Sequence, residues 1–196
     1  MTTNDSEFLM QKDVNLTNEI KLHLGCGQRY IPGFVHVDTR EFPHIDYVAS
    51  ADKLSMFQTG SVALVYCAHI LEHFPRHETE NVLREWHRVL RPGGILRLAV
   101  PDFEKLVEVY HKTGNLSLIL GPLVGGQNYP GNTHYMVFDY ATLARMLEKV
   151  GFRNVRRYDW RQTVHKDYDD FSQAYIPHMD KERGILISLN VEAEKV

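Results

Sequence analysis

The stretch Leu22-His23-Leu24-Gly25-Cys26-Gly27 decides the fold of this chain, because an apolar run there ends in two glycines. Asp38 follows eleven residues later, at the end of the extended segment Phe34-Val35-His36-Val37-Asp38. Glycines at the end of a strand let the backbone approach a ligand closely, and a carboxylate at the end of the next strand can accept hydrogen bonds from two ribose hydroxyls. The pattern predicts a nucleoside-binding edge on a parallel sheet.

This glycine pattern differs from the G-x-G-x-x-G fingerprint of dinucleotide sites, because Tyr30 stands where the third glycine should be. Asp38 also arrives well before the roughly 20-residue spacing that is usual for NAD sites. We therefore expect a short first crossover around Pro32-Gly33, without a full helix. On spacing alone, an ordinary tight turn after a strand remains the alternative.

A second set of elements follows at the spacing of an α/β protein. Val62 to Ala68 predicts a buried strand that runs into Leu71-Glu72-His73. A helix is predicted from about His77, and Arg91-Pro92-Gly93-Gly94 is expected to end it. Ile95 to Val100 then predicts the next apolar strand.

Four motifs in this order resemble those of the class I methyltransferases that use S-adenosylmethionine (SAM). They are Leu22 to Gly27, Asp38, Leu71-Glu72-His73 and Arg88-Val89-Leu90-Arg91-Pro92-Gly93-Gly94. The resemblance covers Ile20 to Val191. It implies SAM as the cofactor and a Rossmann-like, doubly wound α/β fold of three layers, with a mostly parallel sheet and an antiparallel edge strand. The residues that it assigns to SAM are Gly25, Cys26, Gly27, Asp38, Asp52, Ala68 and His69.

Two of these residues have plainer alternatives. Asp52 follows the predicted third strand, Asp46 to Ser50, and resembles the acid that takes the adenine end of SAM, but it is also a candidate helix cap. Cys26 and Cys67 fall at predicted strand ends in a chain that we expect to be intracellular. We therefore expect two small buried thiols and no disulfide.

Composition agrees with a single domain over residues 18–196, preceded by a polar arm at residues 1–17. The 196 residues are 43% hydrophobic, which is enough for a substantial core. A net charge of -3, without a basic stretch interleaved with aromatics, disfavours nucleic acid as a partner. No run approaches the roughly 18 apolar residues of a membrane span, and the first residues lack the regions of a signal peptide, so we expect a cytoplasmic protein. The oligomeric state stays open, with a homo-oligomer among the options.

The segment from about 102 to 140 is an insertion in which we expect the substrate pocket, because loops above the carboxyl ends of parallel strands build such sites. Asp102 and Asp139 are expected to cap helices, and Leu116 to Val124 to form another. A glycine- and amide-rich loop lies between them. Its candidate substrate-binding residues are Gln127, Asn128, Tyr129 and Asn132. The alternative is that these side chains only hold the loop.

Two segments and one histidine sharpen the resemblance. Gly125-Gly126-Gln127, His134 and the closing Ile187-Ser188-Leu189-Asn190-Val191-Glu192-Ala193 resemble a subgroup of small methyltransferases of bacterial surface-polysaccharide biosynthesis. This resemblance implies a small-molecule acceptor, a sugar or nucleotide sugar, that is methylated on a hydroxyl. A sugar hydroxyl is a poor nucleophile and needs a base, for which histidine has the most suitable pKa near neutrality.

Position selects two of the eleven histidines as candidate catalytic residues. His134, in the polar loop expected to cover the acceptor, is the leading base, and His73, in the Leu-Glu-His motif, is the second. The alternatives are that His134 fixes the loop and that His73 caps a turn. His69 and His73 have the i, i+4 spacing of metal ligands, but no third ligand is evident, so no metal site is predicted.

Three other functions compete with a sugar O-methyltransferase. A methyltransferase acting on a nitrogen or oxygen of another small metabolite would share the SAM edge and differ only in the insertion. A noncatalytic SAM-binding subunit would keep Asp38 and lack a productive base. A nicotinamide-dependent sugar oxidoreductase would need the full glycine fingerprint and preferably a Tyr-x-x-x-Lys pair, neither of which the sequence supplies.

Overall fold

The computed structural model describes residues 19–129 and 131–196, so the predicted arm at residues 1–17 lies outside the described residues. The strands are β1 (Ile20–Leu24), β2 (Val35–Asp38), β3 (Tyr47–Val48), β4 (Val62–Ala68), β5 (Leu90–Pro101), β6 (Phe152–Arg157), β7 (Tyr175–Ile176), β8 (Ile185–Leu186) and β9 (Ser188–Lys195). The α-helices are α1 (Thr79–Val89), α2 (Phe103–Thr113), α3 (Ser117–Val124) and α4 (Tyr140–Val150). Strands β7 and β8 form a separate pair.

The other seven strands form one sheet in the order β3-β2-β1-β4-β5-β9-β6. Strands β1 to β5 are parallel, and β9 runs antiparallel to both β5 and β6. This sheet confirms the predicted fold class, although the antiparallel strand lies next to the edge and not at it. Burial explains its position: β9 has six successive buried residues and needs neighbours on both sides, whereas four of the six residues of β6 are exposed.

One face of the sheet carries the main apolar core. Alternate residues of the strands point to this face and pack against α1 and α4. The buried apolar side of α1 agrees with its predicted helical spacing and consists of Val82, Leu83, Trp86 and Val89. Asp139 caps α4, because its carboxylate accepts a 2.7 Å hydrogen bond from the Thr142 N–H, and Gly151 ends the helix with a φ of +119°.

The opposite face carries a row of polar and aromatic side chains, which the strand register places side by side. The row runs through His36, His23, Tyr66, Arg97 and Glu192. Connecting segments cover it: the rings of Phe34 and His165 lie 6.3 and 4.1 Å from that of Tyr66, whose hydroxyl donates to Asp170. As predicted, the β1–β2 connection contains no α-helix. This part of the layer is therefore built from loops and not from the helices expected of a doubly wound sheet.

The insertion after β5 folds into α2 and α3, as predicted. The Asp102 carboxylate accepts a 3.1 Å hydrogen bond from the Glu104 N–H and caps α2, which Gly114 ends with a φ of +62°. These two helices share a small apolar cluster with Ile187, just before β9. None of the helices in the described part of the chain is long and apolar enough to cross a membrane.

Candidate functional site

The chain turns sharply at the end of β1, where Gly25 and Gly27 have φ angles of +62° and +56°. The Gly25 N–H donates a 2.7 Å hydrogen bond to the Val37 carbonyl and so ties the turn to β2. A Cβ atom on Gly25 would lie 2.0 Å from Cδ1 of Ile70. Packing against Ile70, as well as the positive φ, therefore requires a glycine at this position.

Asp38 lies at the end of β2 and holds the turn through its carboxylate. Its two oxygens accept hydrogen bonds from the backbone N–H groups of Gly27 and Arg40, each at 2.8 Å. The residue is 6% exposed. An ionised carboxylate has about four lone-pair positions, so two remain after these bonds. The two remaining acceptor positions thus fit the two hydroxyls of a ribose.

Arg40 links this edge to the insertion. Its Nε atom lies 3.6 Å from the Asp38 carboxylate, and its guanidinium carbon lies 5.4 Å from the ring centre of Tyr129. The ring of Phe42 lies on the same guanidinium at 5.2 Å. Tyr129, predicted to bind substrate, is therefore placed beside the predicted cofactor edge.

The remaining residues assigned to SAM lie around the carboxyl ends of the strands. Cys26 is buried, and burial followed by the charge of Asp38 raises its thiol pKa to about 12, so Cys26 stays a neutral thiol. Cys67 is likewise free and buried, as expected. Asp52 is half-buried and accepts a hydrogen bond from the Ser50 hydroxyl. No helix begins at Asp52 in the described chain, so the helix-cap alternative for it is wrong.

Ala68 ends β4, and His69 leaves the strand with a left-handed φ of +56°. The His69 N–H donates to the Ala99 carbonyl at 2.9 Å, and its Nε2 atom lies 3.2 Å from the Ser188 hydroxyl. Burial, with smaller contributions from neighbouring histidines, lowers the pKa of His69 to about 3. A neutral imidazole is thus fixed between the ends of β4 and β9.

The two candidate catalytic histidines lie together. His73 belongs to the 3-10 turn Leu71–His73, and its ring centre is 4.7 Å from that of His134, with the ring planes at 83°. Nδ1–H of His73 donates to the Thr133 carbonyl at 3.1 Å, and Nδ1–H of His134 donates to the Pro122 carbonyl at 2.9 Å. Burial lowers the pKa of both imidazoles. Each ring is therefore neutral and keeps a lone pair on Nε2.

Glu72 is the site residue that the sequence reasoning missed. Its side chain is fully buried, and neither carboxylate oxygen has a hydrogen-bond partner among the described residues. The basic side chain nearest to it is the neutral imidazole of His69, whose Nδ1 atom lies 3.4 Å from Oε1 of Glu72. Burial raises the pKa of this carboxyl to about 8. The residue stands inside the quoted Leu-Glu-His motif, which was the available signal.

The loop side chains predicted to bind substrate bond mostly to the loop itself. The Gln127 amide donates to the Val124 carbonyl at 3.1 Å, and the Asn132 amide donates to Oδ1 of Asn128 at 2.7 Å. The Tyr135 N–H donates to the carbonyl of Glu72 at 2.8 Å and ties the end of the loop to the histidine turn. These contacts agree with the structural alternative for Gln127, Asn128 and Asn132 and leave groups on the two asparagines free.

A cavity of about 480 Å³ lies beside the segment that follows His134. Its lining includes Arg76, Tyr135, Met136 and Thr142. None of the four predicted substrate-binding residues lines it. The loop around Tyr129 and this cavity are therefore two separate places where an acceptor could be held.

Comparison with known proteins supports the SAM edge. Residues 27–98 match the family model described as a methyltransferase domain. A ubiquinone/menaquinone biosynthesis C-methyltransferase of Erwinia tasmaniensis is 33% identical over 85 residues, which cover 39% of this chain and 34% of that protein. The match thus spans about a third of the length of that curated relative. The family match over residues 27–98 includes Asp38 and ends before the insertion at about 102–140.

Solved structures resemble the whole described fold. The Burkholderia thailandensis 1,6-didemethyltoxoflavin-N1-methyltransferase, solved with 1,6-didemethyltoxoflavin and S-adenosylhomocysteine, has a TM-score of 0.54 at 14% identity, covering 90% of this chain and 71% of that one. A SAM-dependent methyltransferase from Archaeoglobus fulgidus has a TM-score of 0.56 at 15% identity, covering 90% and 86%. The chain has the fold of the class I SAM-dependent methyltransferases, and its residues 27–98 match a methyltransferase domain.

Proposed function

We propose that this protein transfers a methyl group from SAM to a hydroxyl of a sugar or nucleotide-sugar precursor of a surface polysaccharide, in the cytoplasm. One observation carries the proposal. Asp38, which we propose binds the ribose, and the pair of neutral histidines, His73 and His134, lie at the same edge of the sheet, where its parallel strands have their carboxyl ends. That is the side on which open α/β sheets bind their ligands.

The cofactor is held by this chain's own residues in the proposed complex. Asp38 accepts the ribose hydroxyls with its two free lone pairs, and the turn from Gly25 to Gly27 approaches the rest of the molecule. Asp52 takes the adenine end, and Ala68 and His69 line the end of β4. Bound SAM supplies a methyl group that its sulfonium already activates. The protein has to align the acceptor, exclude water and remove a proton.

His134 is the proposed proton acceptor, and His73 is the reserve. A neutral imidazole whose Nδ1–H is engaged presents Nε2 as a base, and both rings have this arrangement. The lowered pKa of each ring keeps it unprotonated near neutral pH. Position in the insertion favours His134, because this segment lies where an acceptor is expected.

The acceptor is proposed to contact the loop of Gln127, Asn128, Tyr129 and Asn132. Amide and phenol groups suit sugar hydroxyls because they both donate and accept hydrogen bonds. Among the described residues, the side-chain amide N–H groups of Asn128 and the side-chain oxygen Oδ1 of Asn132 are unengaged, and the Tyr129 ring is exposed. This loop also touches the cofactor edge through Arg40, which would bring donor and acceptor together.

A second candidate function is methyl transfer to another small metabolite. The relatives named above act, by their names, on a nitrogen of a toxoflavin precursor and on carbon in quinone biosynthesis. An amine acceptor would not need the histidine pair as a base. Turnover that survives loss of both histidines would therefore favour this alternative.

The decisive experiment is SAM turnover against a panel of nucleotide sugars and free sugars, with amines and phenols as comparison acceptors. Mass spectrometry should detect a sugar that has gained one methyl group in place of a hydrogen, together with S-adenosylhomocysteine. Asp38→Ala serves as the control in which cofactor binding is weakened. Methylation confined to amines or phenols would contradict the sugar assignment, and the absence of SAM binding would contradict the whole proposal.

A further inference from the structure

Three side chains that no comparison assigns converge beside the end of β4. One ligand atom from each of Glu72, His73 and His134 lies within 4.8 Å of the others. We infer that these three residues form a binding site for a divalent transition-metal ion, for which Zn²⁺ is the probe. The inference rests on this arrangement and does not depend on the proposed function. It revises the prediction of no metal site, because the third ligand comes from a distant part of the chain.

The histidines are oriented as metal ligands are. In each ring Nδ1–H is used by a backbone carbonyl, that of Thr133 for His73 and that of Pro122 for His134. Metal-bound histidines usually donate their other ring N–H to a carbonyl or carboxylate, which fixes the tautomer and the ring orientation. The free atom in both rings is Nε2, the atom that would bind the ion.

The burial of Glu72 is a second, independent observation that points to a cation site. Its carboxylate is fully buried, and neither oxygen accepts a hydrogen bond in the described chain. A buried carboxylate without a partner is strongly unfavourable, and buried charges in proteins are paired or coordinate metals. No lysine or arginine forms an ion pair with it among the described residues. A cation held by the two neighbouring imidazoles would neutralise it.

The ligand set favours one class of metal. Two imidazole nitrogens and one carboxylate suit zinc and other first-row transition metals, whereas Mg²⁺ and Ca²⁺ prefer all-oxygen surroundings. Three protein ligands also leave one coordination position open, as in catalytic zinc sites. Zn–N bonds are about 2.0 to 2.1 Å long. Ligand atoms at that bond length lie within the 4.8 Å limit that the three side chains meet.

His69 is excluded from the ligand set, although its spacing to His73 suggested a metal pair. Its Nε2 atom lies against the Ser188 hydroxyl, and its Nδ1 atom faces Oε1 of Glu72 at 3.4 Å. A side chain in this position can orient the carboxylate without binding the ion. The pair that the structure favours is His73 with His134.

A metal and a proton would compete for the same lone pair on His134. If that histidine is the base of the proposed reaction, zinc binding removes the proton acceptor and inhibits turnover. The metal ion and the proton are thus alternative ligands of the same nitrogen atom. Zinc binding and turnover can therefore be measured separately.

The test is calorimetric titration of zinc chloride into the full chain after chelator treatment. We expect one site in the wild type, and a weakening of at least about 100-fold in His73→Ala and in His134→Ala, beyond the range typical for loss of an outer partner. Glu72→Gln, which keeps the shape and removes the charge, should also weaken binding. His111→Ala, at an exposed histidine of α2, is the matched control and should bind as the wild type does.

Circular dichroism and thermal unfolding of each variant establish that it is folded. Zinc should raise the unfolding temperature of the wild type and of His111→Ala, and not that of His73→Ala or His134→Ala. Absence of zinc binding by the wild type, or binding as tight as the wild type's in either histidine variant, would overturn the inference. Magnesium should give no heat. SAM binding and turnover are recorded separately, so a protein that binds zinc and methylates no sugar would contradict only the proposed function.

Discussion

The Asp38 carboxylate accepts a 2.8 Å hydrogen bond from the backbone N–H of Gly27, which joins the end of β2 to the glycine turn that follows β1. The acid therefore has two tasks. It shapes the turn through backbone N–H groups, and its remaining lone pairs are those that we propose bind a ribose.

Asp38→Ala should weaken SAM binding by about 2 to 4 kcal/mol, because a buried charged acceptor of two hydroxyls is lost. Calorimetry measures the change. Glu41→Ala, at an exposed acid three positions further along, is the control and should bind SAM as the wild type does. SAM binding at full strength by a folded Asp38→Ala protein would remove Asp38 from the site, and binding of NAD instead would overturn the class.

Gly25→Ala should destabilise the protein more than Gly60→Ala. Both glycines have positive φ, so each alanine costs about 1 to 2 kcal/mol in backbone strain. At Gly60 nothing lies within 4 Å of the new Cβ, whereas at Gly25 it meets Ile70, which adds roughly 1 to 3 kcal/mol. Denaturant unfolding gives the two values, and Ile70→Ala in the Gly25→Ala background should recover part of the loss. Equal costs at both glycines would contradict the packing argument.

Tyr129→Ala should weaken SAM binding, and Tyr129→Phe should not. The ring lies on the guanidinium of Arg40, which flanks Asp38, and an exposed cation–π contact contributes about 0.5 to 1 kcal/mol. Phenylalanine keeps the ring and removes only the hydroxyl, so Tyr129→Phe should change acceptor affinity alone. Gln127→Ala, whose amide bonds only to the loop, is the comparison for SAM binding. A loss of SAM affinity in Tyr129→Phe would show that the hydroxyl acts on the cofactor.

His134→Ala should slow methylation of the sugar by about 10² to 10⁴-fold in chelator-treated enzyme, with SAM binding intact, since a general base is removed. His73→Ala is measured beside it, and His111→Ala should keep full turnover. A His134→Ala enzyme within threefold of wild type at saturating acceptor would rule out the role. Inactivity of His73→Ala alone would then move the base to His73.

Unfolding free energy should fall as the pH drops from about 6.5 towards 4, partly because of His165. Burial and the nearby Arg97 lower the pKa of His165 to about 4 in the folded protein, although Glu192 acts in the opposite direction. In the unfolded chain the pKa of this histidine is about 6.5. The unfolded chain therefore binds the extra proton, so stability is complete above the unfolded pKa and is lost below it. Removing this histidine in His165→Phe should reduce the loss between pH 7 and pH 5 by about 2 kcal/mol. Chemical denaturation of both proteins at the two pH values checks this, and an unchanged loss would show that His165 is not kept neutral.

Local signals predicted most of the framework. Asp102 and Asp139 cap their helices because an acid at that position satisfies N–H groups two or three residues away, and those residues adjoin it in sequence. The apolar run that ends in Gly25 and Gly27 predicted β1. The position of Asp38 at the end of β2 was predicted for the same reason, since spacing and strand ends are visible in one sequence.

Long-range relationships were not visible. The surroundings of Glu72 include a segment that lies about sixty residues further along the chain, at Thr133. No local pattern in the sequence predicts that its carboxylate lacks a hydrogen-bond partner there. The side-chain amides of Gln127 and Asn132 could form hydrogen bonds either to a sugar or within the protein, and the sequence does not distinguish these roles. The structure shows their partners, which are Val124 and Asn128. The place of β9 inside the sheet likewise follows from pairing with both β5 and β6.

Three successive residues of one segment contact the turn that carries His73. The Thr133 carbonyl accepts its Nδ1–H, the His134 ring meets its ring edge-to-face at 4.7 Å, and Tyr135 donates its N–H to the Glu72 carbonyl. Adding or deleting a single residue here would shift all three contacts at once and separate the two histidines. Changes that keep the two histidines together must therefore preserve the length of this segment and exchange only its outward-facing side chains.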